Sequence, residues 1–251
     1  MKLFDRFRRR SPFAPPRPER PHWIVGDIHG RCDLLAKLLV QIRQAPQFSQ
    51  GDTIAFVGDY IDRGEESAAV LDHIHGLSKD ATPPVILRGN HEEMMLDFLD
   101  DPARHGRRWL RNGGLQTLAS YGIGGVAETT GGEQLAEAAE KLRARLPEGL
   151  QDWLSTLPRR YQSGNLHITH AGADPARPLH DQEAETLTWG HPAFLKRARD
   201  DDQWVAYGHI ITDRTGSDGQ GRIAVDSGGY STGRLTAAYV APDGRVDVIQ
   251  T

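Results

Sequence analysis

Cysteine is nearly absent from this sequence, which holds a single one, Cys32, among 251 residues. A lone thiol cannot close an intrachain disulfide, so the chain is not a disulfide-stapled scaffold, and its composition is typical of a reducing compartment. The sequence contains no run of about 18 apolar residues, which excludes a membrane-spanning helix. No apolar stretch follows the basic N-terminus, so no secretory signal is predicted and we expect a cytoplasmic protein.

Positive charge is also scarce, since 30 Lys and Arg stand against 34 Asp and Glu and the net charge is −4. No basic field draws the chain onto nucleic acid, and we expect no nucleic-acid partner. The exception is residues 1–20, which carry seven Lys or Arg and two acidic residues. Because the same segment is rich in proline, residues 1–21 are predicted to be a disordered basic tail ahead of a folded domain over residues 22–251. A weak membrane-surface contact through Leu3, Phe4 and Phe7 is the alternative for this tail.

Strand and helix patterns alternate from residue 22 onward. Three apolar segments, HWIV, TIAFV and PVIL, each lead through a glycine-containing loop into a helical pattern, of which DLLAKLLVQIRQA is the clearest. Repeated strand–loop–helix units predict an α/β fold with parallel strands. Residues 103–160 are Gly-rich between helical patterns, and we interpret them as a cap-like insert. Four further strands, and an edge strand after the turn PDG, predict that the sheet becomes mixed.

Polar clusters follow five of these strands. They are Asp27 and His29; Asp59, Asp62 and Arg63; Arg88, Asn90 and His91; His170; and His209. Ligands of open α/β sheets bind outside the carboxyl ends of the strands, so loops leaving one sheet edge are expected to bring the clusters together. Gly26, Gly58 and Gly89 each precede a cluster, and we expect them to supply the positive φ of sharp turns.

The residue types in these clusters indicate a metal site. Asp, His and Asn ligands without a thiolate suit Mn²⁺, Fe²⁺, Zn²⁺ or Mg²⁺, and we expect Mn²⁺ first. Six candidate ligands are too many for one catalytic ion but suit two ions that share a carboxylate. Two such ions, roughly 3.5–4 Å apart, lower the pKa of a bridging water and clamp the attacking and leaving oxygens of a phosphoester. The guanidinium groups of Arg63 and Arg88 match phosphate oxygens.

Five short motifs in this order resemble the PPP family of serine/threonine phosphoprotein phosphatases. They are GDIHG (26–30), GDYIDRG (58–64), GNHE (89–92), HAG (170–172) and GH (208–209). The similarity runs from about residue 23 to about residue 240 and is greatest to the small bacterial and phage, lambda-phosphatase-like members. It implies the broader calcineurin-like metallophosphoesterase fold, a mixed β-sandwich flanked by helices. Residues 22–251 would then be the catalytic domain and residues 103–160 its helical, Gly-rich insert.

The resemblance also implies a role for each cluster residue. Asp27 and His29 would bind the first metal ion, and Asp59 would bridge the two ions. The ligands of the second ion would be Asn90, His170 and His209. His91 would be the general acid, oriented by Asp62, while Arg63 and Arg88 would hold the phosphoryl group.

One motif departs from the family pattern. Small bacterial members often carry an arginine shortly after the tryptophan of the fourth motif region. Here Gly190 and His191 follow Trp189. Arg234 is the candidate substitute for a third phosphate-contacting arginine.

The resemblance implies a hydrolase that uses a hydroxide bridging two metal ions for in-line attack on a phosphomonoester. Phosphoserine and phosphothreonine in proteins are the expected substrates, together with phosphotyrosine if the enzyme has dual specificity, or a small phosphoester. The first alternative is a symmetric dinucleoside tetraphosphate hydrolase of the same fold. The arginine before GNH and the glutamate after it favour the phosphatase. The second alternative, a non-catalytic phosphate-binding or scaffold protein, would require a broken ligand set, and no ligand is missing.

Overall fold

The first sheet contains the three strands of the predicted strand–loop–helix units. The computed structural model describes residues 13–251. In it this sheet has the order β10–β9–β1–β2–β3. Its strands are β1 His22–Val25, β2 Thr53–Phe56, β3 Val85–Ile86, β9 Thr236–Val240 and β10 Val246–Gln250. Strands β1, β2 and β3 are parallel, as predicted, and β9 and β10 add antiparallel partners beside β1.

Parallel pairing in this sheet depends on the helices that cross over between strands. These are α1 Cys32–Gln44 and α2 Ser67–Leu77, while α3 Asn90–Asp100 follows β3 and leads into the insert. The apolar stripe of α1 is buried, as its periodicity predicts. The loops from strand to helix cover residues 26–31, 57–66 and 87–89, and they hold their polar residues close to the sheet edge.

A second sheet faces the first, so the strands do not form the single mixed sheet expected from their patterns. Its order is β4–β5–β6–β8–β7. Its strands are β4 Arg160–Ser163, β5 Leu166–Thr169, β6 Trp204–Tyr207, β7 Gly216–Ser217 and β8 Arg222–Ala224. Strands β5, β6 and β8 are parallel to one another.

Alternation along β1 explains how the two sheets pack. Ile24 joins a buried cluster with Ile168 and Ala206 of the second sheet. Trp23 and Val25 point to the other face and pack with the helices. With one face of the first sheet on the second sheet and the other on helices, both faces are covered. The mixed β-sandwich flanked by helices is therefore confirmed.

The predicted insert over residues 103–160 is mostly helical. It contains α4 Pro102–Trp109, a π-helical turn at Leu110–Gly114, α5 Leu115–Ser120, α6 Gly132–Arg145 and α7 Leu150–Thr156. Its buried leucines belong to the same core cluster as those of α1, and Gly106 of α4 lies against Leu135 and Phe98. The insert therefore shares the main core, and its action as a cap stays a prediction. Two short helices, α8 Ala184–Trp189 and α9 Gly229–Thr232, lie in the C-terminal half.

Residues 13–21 differ from the predicted free tail. They form neither helix nor a long strand, as their proline content predicts, but they make specific contacts with the second sheet. The Phe13 ring lies edge-on to Trp204 with ring centres 5.5 Å apart. The Trp204 indole donates to the Ala14 carbonyl at 2.7 Å, and the Arg17 amide donates to Asn165 at 2.6 Å. This corrects the disordered tail for residues 13–21, while the part predicted over residues 1–12, with its surface-contact alternative, lies outside the described residues.

Among the helices of residues 13–251, none has both the length and the apolar character needed to cross a membrane.

Loss of the Phe13 ring should destabilise the sandwich. We expect Phe13→Ala to lower the free energy of unfolding by about 1–2 kcal/mol, because a half-buried aromatic pair is lost. Thermal and urea unfolding measure this change. Arg17→Ala is the control, since the Arg17 side chain is exposed and its backbone contact survives the substitution. Equal unfolding temperatures for the two variants would contradict an anchoring role for residues 13–21.

Candidate active site

The six predicted metal ligands meet where the two sheets face each other. Asp27, His29, Asp59 and Asn90 follow β1, β2 and β3 of the first sheet, whereas His170 and His209 follow β5 and β6 of the second. The sequence-based expectation of one sheet edge is therefore wrong, because the clusters come from two edges that lie side by side. Five of the six side chains are buried, and His209 is partly exposed.

Asp59 lies at the centre of this group. Its Oδ2 is 3.5 Å from His29 Nε2, and its Oδ1 is 3.4 Å from His170 Nε2. Two sets of side chains offer ligand atoms within 4.8 Å of one another, and Asp59 belongs to both. The first set adds His29 and His91, and the second adds His170 and His209. A carboxylate shared by two sets is what a bridging ligand requires.

The histidine tautomers fit a metal centre. His29 Nδ1 lies 2.8 Å from the Ile61 carbonyl, and His170 Nδ1 lies 3.1 Å from the Val57 carbonyl. Since a carbonyl can only accept, both Nδ1 atoms must carry the proton, which leaves a lone pair on each Nε2. Backbone bonds of this kind orient histidine ligands in metalloproteins. The Asn90 side-chain oxygen completes the second set, at 2.8 Å from His170 and 2.9 Å from His209.

Asp27 also fits a cation site. Its Oδ2 accepts the His209 backbone N–H at 2.9 Å, while its buried Oδ1 has no hydrogen-bond partner among the described residues. Burial, with the neighbouring carboxylates of Asp226 and Asp59, holds the pKa of Asp27 well above its usual range. A buried carboxylate oxygen without a donor, close to two other acids, is suited to a positive ion.

Strained backbone presents these side chains. Five site residues other than glycine have positive φ, from 47° to 71°. They are His29, Asp59, Asp62, Arg63 and His209. Residues other than glycine rarely adopt positive φ, and backbone strain of this kind is concentrated at functional sites.

The glycines beside the polar clusters have two structural roles, a positive-φ turn and a close approach between backbone segments. Gly58 has a φ of 115°, as expected, but Gly26 does not have a positive φ and Gly89 has a φ of −89°, which corrects the predicted positive-φ role of both. Gly89 is needed for close approach instead, since a Cβ atom there would lie 2.2 Å from Asp59 Oδ1.

A hydrogen-bonded dyad lies beside the ligand groups. His91 Nδ1 is 2.6 Å from Asp62 Oδ2, and both side chains are buried. The Asp62 carboxylate also accepts from Thr117 at 2.6 Å and from the Trp109 indole at 3.0 Å. Burial lowers the pKa of His91, but Asp59 and Asp62 raise it more, so the net shift is upward. A fixed imidazole with a raised pKa is suited to donating a proton.

The two predicted phosphate-binding arginines are placed differently. Arg63 Nη1 is 3.0 Å from His29 Nε2, and its guanidinium lies 4.9 Å from the centre of the Tyr230 ring. Arg88 is buried, and its Nη1 donates to the Ser155 carbonyl of α7 at 2.9 Å. Arg234 has a half-exposed side chain whose ion-pair partner is Asp213 at 3.6 Å. The structure thus brings Arg63 to the ligand groups, whereas the contacts of Arg88 and Arg234 lie elsewhere.

Comparison with known proteins identifies the family. The calcineurin-like phosphoesterase model matches residues 21–213. The chain belongs to this family. The symmetrical bis(5'-nucleosyl)-tetraphosphatase of Marinomonas sp. (strain MWYL1) is 32% identical over 66% of this chain and 48% of its own length. Serine/threonine-protein phosphatase 2 of Salmonella typhimurium is 27% identical over 85% of this chain and 90% of its own.

Coverage of these relatives varies widely. The chain spans about half the length of the Marinomonas relative and 38% of serine/threonine-protein phosphatase 1 of Salmonella typhimurium, to which it is 40% identical over 37% of its own residues.

Solved structures show the shared fold. A serine/threonine phosphatase of Saccharomyces cerevisiae aligns with a TM-score of 0.57 and 16% identity over 93% of this chain and 80% of its own. A protein described as a candidate diadenosine tetraphosphatase aligns with a TM-score of 0.62 and 23% identity over 92% and 93% of the two chains.

Sequence reasoning missed Glu92, a buried anchor of this phosphoesterase site. Its carboxylate accepts the N–H groups of Asp59 at 2.9 Å, Gly89 at 2.9 Å and Tyr60 at 2.8 Å. Burial and the nearby Asp59 raise its pKa to about 7. The motif GNHE contains this residue, but only the fold reveals which amides its carboxylate reaches.

Trp109 and Thr117, the donors to Asp62, were also missed. Both belong to the segment 103–160, which carries no recognisable motif. No local signal marks them, because their role depends on α4 and α5 packing beside a loop more than 40 positions earlier in the chain.

Asp59→Asn should abolish binding of both metal ions. The neutral amide of asparagine is a poorer metal ligand than the carboxylate of Asp59. Because residue 59 belongs to both sets of ligand atoms, the substitution affects both sites. We expect apo-protein loaded with Mn²⁺ to retain close to two ions in the native chain and none in the variant, by elemental analysis after gel filtration. His29→Ala is the matched control and should retain one ion, since His29 belongs to one set. Unchanged metal content in Asp59→Asn would contradict the bridging assignment.

Glu92→Gln should destabilise the protein without removing a ligand. An amide NH₂ would face the N–H groups that one carboxylate oxygen now accepts, at a cost of about 1–3 kcal/mol in the free energy of unfolding. Urea unfolding at neutral pH measures this cost. Glu66→Gln, at an exposed position, should change the same quantity by less than about 0.5 kcal/mol. Similar values for both variants would show that Glu92 does not anchor the site.

Proposed function

We propose that this chain is a metal-dependent phosphomonoesterase that acts on phosphoserine or phosphothreonine in proteins. The observation that carries this proposal is the buried His91–Asp62 dyad beside the two sets of ligand atoms. A serine or threonine alkoxide is a poor leaving group and needs a proton as the phosphorus–oxygen bond breaks. A nucleoside diphosphate or triphosphate leaves without one, so a phosphoanhydride hydrolase has less use for such a dyad.

Two divalent ions fit the donor set, with Mn²⁺ as the first expectation. When bound, the ions would activate a water molecule and neutralise the developing charge on phosphoryl oxygens. Asp59 belongs to both sets of ligand atoms, and the Asn90 side-chain oxygen closes the second set with His170 and His209. In this proposal the unpartnered oxygen of Asp27 takes the place of His91 in the first set, because His91 keeps its Nε2 proton for the leaving oxygen.

Protein groups would do the remaining work. Arg63, held over the Tyr230 ring, offers guanidinium donors to the phosphoryl oxygens. His91 donates its Nε2 proton to the leaving oxygen, while Asp62 accepts from Nδ1 and stabilises the imidazolium. Trp109 and Thr117 hold the Asp62 carboxylate in the orientation that His91 requires. A phosphate contact by Arg88 stays a prediction, since one of its N–H groups is already bonded to α7.

A symmetric dinucleoside tetraphosphatase is the second candidate, favoured by the Marinomonas relative of that name. The glutamate of GNHE and the arginine before this motif support the phosphatase, because the resemblance to the phosphatases includes both residues. A non-catalytic scaffold has no support from the site, where every predicted ligand is present. The expected cytoplasmic location remains a sequence-based prediction.

His91→Asn tests the proposal through the leaving group. General acid catalysis raises the rate by about 10²–10⁴-fold. We therefore expect His91→Asn to lose most of this factor in kcat/KM on a phosphoserine peptide. The loss on p-nitrophenyl phosphate should be at least about tenfold smaller, since nitrophenolate leaves readily without a proton. Asp62→Asn should show the same pattern in a milder form.

The control for this experiment is Arg63→Ala, which should reduce activity on both substrates similarly, because phosphoryl binding does not depend on the leaving group. Metal content is measured for every variant. Equal losses on both substrates for His91→Asn would remove His91 from the acid role. A native enzyme that cleaves diadenosine tetraphosphate but neither phosphoserine nor phosphothreonine peptides would instead support the second candidate.

A further inference from the structure

A row of three charged side chains and one aromatic side chain lies outside the residues assigned so far. Arg159 Nη2 is 2.8 Å from Glu93 Oε1, and the Trp189 indole donates to Glu93 Oε2 at 2.8 Å. The Arg108 guanidinium lies 4.2 Å from the centre of the Trp189 ring. These four residues, which we call the arginine rim, come from α3, α4, the end of α8 and the residue before β4.

The arginine rim borders the active site on the side of Asn90 and His170. Glu93 lies three positions after Asn90 in α3, so the two side chains share one helix face. Arg159 comes directly before Arg160, which pairs with Thr169 across β4 and β5, and His170 follows Thr169. The Ala171 amide donates to the Leu187 carbonyl of α8 at 2.9 Å, which places Trp189 near the same loop.

Positive charge is in surplus along the rim. Among residues 13–251, no carboxylate lies within 4.0 Å of the exposed Arg108 guanidinium, although Asp97 interacts with it over a longer distance. The Glu93 carboxylate pairs with Arg159 and accepts the Trp189 indole N–H, and it forms no ion pair with Arg108. Spare guanidinium donors of this kind bind carboxylate or phosphate oxygens.

The Trp189 ring fixes the orientation of the Arg108 guanidinium, which would otherwise move freely in solvent. Stacking on an aromatic face restricts the guanidinium plane and leaves its edge free to donate. Because Glu93 fixes the indole, the direction of Arg108 is set by a chain of contacts that begins on the helix of Asn90. An anion bound there would lie on the side of the active site that carries Asn90 and His170.

We propose that the arginine rim is a second anion subsite, which holds an acidic side chain adjacent to the phosphorylated residue of the substrate. This inference rests on the proposed function, since it is the phosphoprotein substrate that supplies the neighbouring acid. It adds a specificity to that function, namely a preference for phosphoserine or phosphothreonine in an acidic sequence. Arg108 acts in it as a substrate-binding residue outside the reacting centre.

The test compares two phosphoserine peptides that differ only in glutamate or glutamine on both sides of the phosphoserine. The native enzyme should prefer the glutamate peptide by about three- to fivefold in kcat/KM, as expected for an exposed charge pair. Arg108→Gln should abolish this preference, while activity on the glutamine peptide and on p-nitrophenyl phosphate changes by less than about twofold. Raising the salt concentration should reduce the native preference in the same way.

Arg107→Gln is the matched control, because Arg107 is the exposed neighbour of Arg108 in α4 and its guanidinium does not stack on Trp189. It should keep the native preference. Equal loss of preference in both variants would point to the overall field of α4 and overturn the subsite. Equal loss of activity on all three substrates in Arg108→Gln would overturn it too, because Arg108 would then only support the helix.

Failure of the subsite and failure of the proposed function are distinguishable. A native enzyme that cleaves both peptides equally well overturns the subsite and leaves the phosphatase assignment intact. A native enzyme that cleaves p-nitrophenyl phosphate and diadenosine tetraphosphate but neither peptide overturns the assignment and the peptide occupant together.

Discussion

One buried carboxylate, that of Asp59, organises the site and much of the fold around it. Burial by itself would raise its pKa, but His170, His91 and His29 surround it and hold the pKa below its usual range. Its backbone carbonyl accepts the amides of Ile28 and His29, and its side chain accepts the amide of His91. Loops after three strands of the first sheet therefore meet at one residue. A charge buried among so many partners is stable only while every partner stays in place.

The β-sandwich supplies the rigidity that this arrangement needs. Positive φ at several site residues other than glycine is an unfavourable local conformation, and the packed sheets on either side stabilise it. Ile24 of β1 and Val57, the residue after β2, lie in the cluster that joins the sheets, within two residues of Gly26 or Asp59. The same packing that stabilises the fold therefore fixes the direction in which each loop leaves its strand.

The helical insert contributes to the chemistry as well as to the core. Trp109 and Thr117 complete the hydrogen bonding of Asp62, so the orientation of His91 depends on helices far from it in the sequence. Gly113, at the turn after α4, lies so close to Arg63 that a Cβ atom would be 2.5 Å from the Arg63 amide. Arg108 belongs to the same helix as Trp109. The insert from α4 to α5 thus supports the proposed acid, the proposed phosphate-binding arginine and the arginine rim.

The sequence by itself determined what lies within a few residues of each strand end. Asp27, His29, Asp59, Asn90, His170 and His209 could be found because each follows an apolar strand, and the buried stripe of α1 could be found because helical spacing repeats locally. Only the tertiary structure decided that these residues come from two sheets and that residues 13–21 pack on the second. It also decided that Glu92 anchors three amides and that Arg88 donates to α7. These outcomes depend on contacts between segments distant in the chain, and no local pattern of residues encodes which carbonyl or amide a side chain will meet.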